Sequence, residues 1–297
     1  MKRLPIFLLL FIFPSCSVQL TPESIIYQDK EPEVFPDLSL LQSELQLDPS
    51  ELVLRKVSFD TQDGVTLRGV FLEHNRPIAN ILLFGGNGMK ISNFGPILAE
   101  FAQIPANVIW FDYRGAGVSD TWQSEEGEVV ISVAQLRSDA LAIFDHSVEL
   151  VPDDLPLILH GISMGSLHAA YISGHRELDG LVLDGPITSV AMLVDASTPS
   201  WAKRMSNIDI SDELNELDNI KQLQRYEGPL LLLVGEDDTV TPPQFAEEIY
   251  ASSESVRKRL AVFPGIDHGR SMAGKDSTEF YREFISTDVF EFLSVDP

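Results

Sequence analysis

The segment Gly161-Ile162-Ser163-Met164-Gly165 places a serine between two glycines, directly after an apolar run of strand length. A serine at the tip of a sharp strand-to-helix turn has a strained backbone, so the residues two positions away must be small. The helix that follows directs its positive dipole end at any negative charge that develops beside the hydroxyl. The spacing therefore predicts Ser163 as a nucleophile, although a glycine-flanked turn serine without catalytic function fits the same pattern.

A serine hydroxyl is a weak nucleophile unless a base takes its proton, and the base must be oriented by a third group. After a turn of this type, the acid comes first in the chain and the histidine follows it. The candidate acids Glu236, Asp237 and Asp238 lie just beyond an apolar strand. We assign the role to Asp238, with Asp237 as the main alternative. His268 is the only histidine after them, so we predict it as the base.

The elements that must position these residues alternate between strand and helix. Apolar strands are predicted at residues 80–84, 107–111, 155–160, 180–184, 229–234 and 259–263. Helices are predicted near residues 94–101, 133–148, 167–172, 244–251 and 278–293. Apolar strands without alternation, separated by helices, favour an α/β fold with a mostly parallel sheet covered on both faces. Two further strands at residues 52–59 and 66–72 flank Asp63-Gly64, which predicts an antiparallel hairpin at the sheet edge.

The charge and composition of the chain exclude several kinds of partner. The chain has 297 residues and a formal net charge of -24, which argues against binding to nucleic acid or to anionic lipid. The sequence contains no phosphate-binding P-loop and no cysteine and histidine cluster with metal spacing. We therefore expect no cofactor and no metal, and a small molecule as the substrate.

The first residues have the order of an export signal. A basic start at Met1-Lys2-Arg3 precedes an apolar run over residues 4–13, and Cys16 follows it. This run is too short for a permanent membrane span but suits a signal peptide. Its end resembles the lipobox of bacterial lipoproteins, which implies acylation of Cys16. We therefore predict a signal peptide at residues 1–15 and a lipid-anchored protein that faces the periplasm, with a soluble periplasmic or secreted protein as the alternative.

The rest of the chain divides into a tether and one domain. Residues 16–49 are rich in Pro, Glu, Asp, Gln and Ser, and we predict a tether with at most one helix around Leu38–Leu41. Residues 50–297 form the predicted domain. Its strand and helix rhythm is interrupted at residues 187–226, where we predict a short lid with helical pieces at 190–195 and 210–223.

Together these segments resemble the α/β-hydrolase superfamily, in its branch of small esterases and serine-aminopeptidase-like hydrolases. The resemblance extends from about Leu52 to the C-terminus. It rests on the segments around Ser163, Asp238 and His268 and on three further motifs. These motifs are Thr61-Gln62-Asp63-Gly64-Val65-Thr66-Leu67-Arg68-Gly69, Gly85-Gly86-Asn87-Gly88 and Asp112-Tyr113-Arg114-Gly115-Ala116-Gly117-Val118-Ser119.

The resemblance also implies where an oxyanion would bind. In the family, a His-Gly-x turn donates a backbone amide, and this position corresponds to Asn87. Met164, the residue after the nucleophile, supplies the second amide. Gly85 stands where the family usually has histidine. Tyr113 and Arg114 resemble a structural loop beneath the site, so we expect a scaffold role for them.

The sequence therefore predicts a serine hydrolase that cleaves carboxylic esters or thioesters through an acyl-enzyme on Ser163. An aminopeptidase-like amidase is the enzyme alternative, because the same residues cleave amides when a site grips a peptide. A non-catalytic envelope lipoprotein that uses the fold as a binding scaffold is the alternative from another class.

Overall fold

The computed structural model describes residues 17–93, 95–121, 131–203 and 207–295. The predicted signal peptide and Cys16 lie outside the described residues. Within these ranges, no helix is both long enough and apolar enough to cross a bilayer. The strands are β1 (Ser17–Leu20), β2 (Leu52–Asp60), β3 (Thr66–His74), β4 (Ala79–Phe84), β5 (Ala106–Phe111), β6 (Leu157–Ile162), β7 (Gly180–Asp184), β8 (Asn207–Ile210), β9 (Leu230–Gly235) and β10 (Lys258–Phe263).

Eight of these strands form the main sheet, in the order β10-β9-β7-β6-β4-β5-β3-β2. Strand β3 is antiparallel to both β2 and β5, whereas the other neighbours in the main sheet run parallel. The hairpin pairs Asp60 with Thr66 around a left-handed Gly64 with φ of 84°. The predicted mostly parallel sheet and its antiparallel edge hairpin are confirmed.

Helices and turns connect the strands and cover the sheet. The helices are α1 (Pro22–Ile25), α2 (Leu38–Glu44), α3 (Gly95–Phe101), α4 (Val133–Val148), α5 (Met164–Ser173), α6 (Val190–Ser197), α7 (Ser200–Lys203), α8 (Asp212–Asn215), α9 (Asn219–Leu223), α10 (Pro243–Ser252), α11 (Ser277–Glu283) and α12 (Phe290–Val295). A 3₁₀ turn covers Ser271–Ala273, and a π-helical segment, Phe284–Val289, joins α11 to α12. The last predicted helix, at 278–293, is therefore present but not uniformly α-helical.

Burial of both faces explains why the strands are apolar throughout. Residues of α3 and α11, with Trp110 and Phe284, belong to the core on one face of the main sheet. Residues of α4, α5 and α10, with Phe71 and Phe111, belong to the core on the other face. Because both faces are covered, β4, β5, β7 and β9 are buried at every position.

The parallel strands β4, β5, β6, β7, β9 and β10 end at a common edge, which we call the site edge. The strand order reverses between β4 and β6, since the chain continues from β4 to β5 on one side and places β6 on the other. Ligands of open α/β sheets bind at such a switch point, outside the carboxyl ends of the strands. The loop after β4 and the turn after β6 flank this position.

The segment predicted as a lid, residues 187–226, contains α6, α7, β8, α8 and α9 in its described part. The expectation of helix at 210–223 is only partly correct. Ile210 ends strand β8, and two short helices replace one long helix. Asp218 causes the break, because its side chain accepts a hydrogen bond from the Lys221 amide at 3.1 Å and so caps a new helix.

The segment predicted as a tether lies against the domain in its described part. Strand β1 pairs in parallel with β8 in a separate two-stranded sheet. The predicted helix around Leu38–Leu41 corresponds to α2, which is capped by the Asp37 carboxylate. The N-terminal segment and the predicted lid, joined through β1 and β8, are therefore both outside the main sheet and lie at the site edge.

Candidate active site

Ser163 lies in the sharp turn between β6 and α5. Its φ of 52° and ψ of -115° are strained for a residue with a side chain, and its amide donates to the Asp184 carbonyl at 2.9 Å. A Cβ at Gly165 would collide with the carbonyl of Phe84, and one at Gly161 with the backbone of Gly165. The glycines that flank Ser163 are therefore required by close backbone packing, as the motif predicts.

The structure brings the three residues predicted as nucleophile, base and acid together. The Nε2 atom of His268 lies 2.8 Å from the Oγ atom of Ser163. Its Nδ1 atom lies 2.8 Å from the Oδ2 atom of Asp238. Both distances are those of hydrogen bonds, and the arrangement is that of a nucleophile, a base and a group that orients the base. It allows a proton to move from the serine to the imidazole while the carboxylate stabilises the resulting charge.

The carboxylate of Asp238 is fully buried and held by its own turn. The backbone amides of Val240 and Thr241 donate to Oδ1 at 2.9 and 2.8 Å. Burial alone would raise the pKa of Asp238, but the hydrogen bond and charge of His268 and the bonds from Thr241 lower it below its ordinary value. Asp237 is exposed, and its amide donates to the carbonyl of Ile266. Of the two aspartates weighed from the sequence, Asp238 is the one beside His268.

Thr241 is a site residue that the sequence analysis did not identify. Its hydroxyl lies 2.9 Å from Oδ2 of Asp238, 3.0 Å from Nδ1 of His268 and 2.9 Å from the carbonyl of Gly185. The hydroxyl therefore ties the acid and the base to the end of β7. The spacing Asp-x-x-Thr, in which the aspartate receives the amide three residues later, is the signal that could have indicated it.

The loop after β4 lies directly beside the nucleophile. An ideal Cβ at Gly86 would lie 2.9 Å from the Sδ atom of Met89 and 3.3 Å from the Cβ of Ser163, so a side chain at this position would crowd Ser163. Among the described residues, the backbone amides of Asn87 and Met164 donate no hydrogen bond to another protein group. Met164 is the first residue of α5, where helix geometry leaves the amide unpaired. The two amides predicted as oxyanion donors are thus free to bind a ligand.

Gly85, which replaces the family's usual histidine, packs against an indole. A Cβ at this position would meet Nε1 of Trp110 at 3.2 Å, and Trp110 is buried. The Tyr113 hydroxyl donates to the Gly85 carbonyl at 2.7 Å. Trp110 and Tyr113 therefore support the loop of residues 85–93, which we call the oxyanion loop after its predicted function. Arg114 pairs with the Asp63 and Asp139 carboxylates at 2.5 and 2.7 Å, as a structural residue would.

A cavity of about 1260 Å³ opens beside Ser163. The loops after β4, β9 and β10 form the polar side of the cavity. Most of its aliphatic lining comes from helices α4 and α5, from the segment 187–226 (called the lid below) and from the N-terminal segment. The aliphatic residues contributed by these sources include Ile25, Ile26, Leu136, Leu167, Val190 and Leu214. Among the described residues, no group of histidine, cysteine and carboxylate side chains could hold a metal ion. The lining suits a flexible apolar group of a small-molecule ligand.

Comparison with known proteins supports this class of fold and a hydrolase activity. The family model for serine aminopeptidase, S33, matches residues 75–211. The uncharacterized protein YfhR of Escherichia coli strain K12 is 26% identical over 243 residues, which is 79% of this chain and 80% of YfhR. The matched family is one of hydrolases, so the sequence comparison supports hydrolase chemistry.

Solved structures show the same fold. The Pyrococcus furiosus esterase Pf2001 superimposes with a TM-score of 0.64 at 19% identity, covering 89% of this chain and 98% of the esterase. The acylaminoacyl peptidase of Pyrococcus horikoshii also gives a TM-score of 0.64, at 15% identity, covering 84% of this chain and 43% of that chain. The chain therefore has the α/β-hydrolase fold, and the fold prediction is confirmed.

Proposed function

We propose that this protein is a serine hydrolase that cleaves carboxylic esters or thioesters with an aliphatic acyl group. The observation that carries the proposal is the 2.8 Å contact between Ser163 Oγ and His268 Nε2 at the mouth of an aliphatic cavity. A nucleophile that is bound to its base and faces an apolar pocket suits the attack on an acyl carbonyl whose chain lies in that pocket.

The proposed reaction has two steps. Ser163 Oγ attacks the carbonyl carbon while His268 Nε2 takes its proton, and the amides of Asn87 and Met164 bind the oxyanion. The tetrahedral intermediate collapses, and His268 returns the proton to the departing alcohol or thiol. Water then attacks the acyl-enzyme, His268 again takes and returns a proton, and the carboxylic acid leaves. Asp238 orients His268 and stabilises the imidazolium throughout.

An aminopeptidase-like activity is the second candidate, because the matched family model is that of a serine aminopeptidase. A free amino terminus requires a carboxylate in the site to bind its charge. Among the described residues, Asp267 is the only acidic residue that lines the cavity, it is exposed to solvent, and most of the remaining lining is apolar. The lining therefore favours an apolar acyl group over a charged amine.

A substrate panel tests the proposal. Purified protein is supplied with p-nitrophenyl esters of graded chain length, acyl thioesters and aminoacyl amides, and Ser163→Ala is the matched control. We expect turnover of esters or thioesters that is absent from Ser163→Ala. Preferred cleavage of aminoacyl amides would favour the second candidate, and no turnover of any compound would favour a binding scaffold.

We also propose that the protein is attached to the bacterial cell envelope through lipid on Cys16 and faces the periplasm. The basic, apolar and cysteine order at residues 1–16 supports this proposal. Attachment of several acyl chains to one residue gives lasting membrane binding, where one chain would be marginal. Cys16→Ala is expected to abolish fatty-acid labelling and to leave unprocessed precursor. Continued acylation of this variant would contradict the proposal.

A further inference from the structure

Residues 17–33, which we call the N-terminal strap, are bound to the lid. Strand β1 pairs with β8 from Ser17 to Leu20, and the amide of Ser211 donates to the Leu20 carbonyl at 2.9 Å. Leu20 and Ile25 pack against the apolar cluster that contains Val190 and Leu214 of the lid. The strap and the lid therefore form one continuous covering layer over the site edge.

The strap is also bound to the oxyanion loop through the side chain of Asn87. The Nδ2 atom of Asn87 donates to the Ile25 carbonyl at 2.8 Å, and its Oδ1 atom accepts from the Tyr27 amide at 2.8 Å. The side chain thereby pairs with the backbone on both sides of Ile26, as a neighbouring strand would. The backbone amide of the same Asn87 is the proposed oxyanion donor. The residue that binds the strap through its side chain is therefore also the residue that would bind the oxyanion.

A buried ion pair holds the end of the strap to the same loop. The Lys90 ammonium lies 3.0 Å from Oδ2 of Asp29 and also contacts Glu33, which in turn accepts from Ser92. Only 5% of the Lys90 side chain is exposed, so these contacts are made largely away from water. The amide of Gly117 donates to Asp29 Oδ2 at 2.8 Å. These bonds fix the strap on the C-terminal side of Ile26.

The strap contributes part of the cavity wall at this fixed point. Ile25 and Ile26 line the same cavity as Ser163. Ile26 is 8% exposed and packs with Ile131, Leu136 and Met164. Its side chain therefore lies between α5 and α4, in the part of the cavity where the acyl chain of a bound ester would extend from Ser163.

We propose that the N-terminal strap is part of the active site, with Ile26 as a specificity-determining residue for acyl-chain length and the Asn87 side chain as a positioning residue for the oxyanion loop. This inference rests on the proposed hydrolysis of acyl esters. It assigns the strap a function in substrate selection, in addition to any function in membrane attachment.

Alkyl fluorophosphonates of graded chain length test the role of Ile26. The Ser163 oxygen bonds to phosphorus, fluoride leaves and His268 takes the serine proton, so the labelling rate reports pocket fit without ester turnover. We expect Ile26→Ala to raise the ratio of long-chain to short-chain labelling about tenfold, and Ile26→Phe to lower it by a similar factor, since a few methylenes in a pocket are worth about this much. Val34→Ala is the matched control, because Val34 is 91% exposed.

The outcomes separate the two proposals. Wild-type protein that is not labelled on Ser163 by any probe would overturn both the proposed function and the role of the strap. Labelled wild type with variants that change every probe by the same factor would overturn the strap proposal alone. Ile26→Val, which removes one methyl group, is expected to shift the ratio in the direction of Ile26→Ala and covers the case in which the larger change prevents folding.

Steady-state hydrolysis of one good ester tests the role of Asn87. We expect Asn87→Ala to lower kcat about tenfold or more with KM changed less than about twofold, because a misplaced donor weakens the transition state rather than substrate binding. Asn87→Asp keeps the acceptor for the Tyr27 amide and is expected to retain more kcat than Asn87→Ala. Asn75→Ala is the matched control, since Asn75 is exposed, lies outside the strap and donates its side-chain amide to the Ser50 carbonyl. Wild-type kcat in a folded Asn87→Ala protein would overturn this role.

Discussion

The site edge of the main sheet and the layer that covers it are built from different kinds of contact. Ser163, Asp238 and His268 each follow a strand of the main sheet within a few residues. The covering layer is held by contacts between distant segments, such as the pairing of β1 with β8 and the bond between Asn87 and Ile25 across 62 positions. The first arrangement is rigid because its strands are buried, whereas the second depends on a small number of polar bonds.

This difference suggests that the site edge carries out the reaction, whereas the covering layer determines which substrate is preferred. Ser163, Asp238 and His268 follow strands that the core fixes, so the geometry of these three residues depends little on the covering layer. The aliphatic residues of the cavity, which we propose to bind the acyl chain, come largely from α4, α5, the strap and the lid. We therefore expect changes at the site edge to alter the rate for every substrate, and changes in the covering layer to alter which substrate is preferred.

The largest expected effect is at the site edge. Ser163→Ala and His268→Ala should each lower kcat at least about 10⁴-fold, and the double variant should lose little more, because the residues act as one unit. Ester kinetics on the four proteins give the comparison directly. A double variant whose loss of kcat equals the product of the two single losses would show that Ser163 and His268 act independently, contrary to the proposal.

The next effect distinguishes two adjacent carboxylates. Asp238→Asn should lower kcat about 10²- to 10⁴-fold, since an amide cannot stabilise the imidazolium or hold its tautomer. Asp237→Asn is the matched control and should remain within about twofold of wild type, as Asp237 is exposed. Equal losses of kcat in the two variants would show that activity depends on the structure of the turn and not on the contact between Asp238 and His268.

A third prediction concerns the stability of the covering layer. Lys90→Met should lower the free energy of unfolding by about 2 kcal/mol, less than for a fully buried pair because Glu33 is partly exposed. Lys203→Met removes an exposed pair with Asp195 and should cost less than about 0.5 kcal/mol. Denaturant unfolding of both variants measures the difference. Equal small losses would mean that Lys90 does not hold the strap.

The smallest expected effect is a pH dependence at the site edge. Burial raises the pKa of Asp184, at the end of β7, to about 7. A carboxyl with a raised pKa in the folded state is protonated more readily there than in the unfolded chain. Its contribution to stability is therefore present at low pH and is lost as pH rises from about 4 to about 7.

The variant Asp184→Asn removes this titration. Thermal unfolding between pH 4 and pH 8 should show a shallower decline of stability for Asp184→Asn than for wild type, by on the order of 1 kcal/mol over the window. Asp112, whose pKa burial also raises to about 7, remains in the variant, so part of the decline should persist. An unchanged slope would contradict the assignment to Asp184.

The same contrast explains what the sequence could predict. The strands of the main sheet are identifiable because burial on both faces requires continuous apolar runs, such as Gly180–Asp184. Ser163 and His268 are identifiable because they follow such strands in short glycine-containing turns. The assignment of Asp238 rested on its place after β9, and the Asx-type bonds from Val240 and Thr241 give the physical reason for it.

The covering layer could not be predicted in the same way. Strand β1 is four residues long and forms only because β8 lies beside it, nearly two hundred positions away along the chain. A polar segment with a single pairing partner has no periodic signature, so residues 17–33 are compositionally similar to a tether. The bonds from Asn87 and Lys90 to this segment depend on the folded positions of both partners.

The most direct test of the central claim is the intact mass of the protein after exposure to a serine-directed organophosphate. The account predicts one covalent adduct on wild type, located on Ser163 by peptide mapping, and none on Ser163→Ala. It also predicts slow or absent labelling of His268→Ala, because the serine then has no base. An adduct on another serine, or equal labelling of Ser163→Ala, would contradict it.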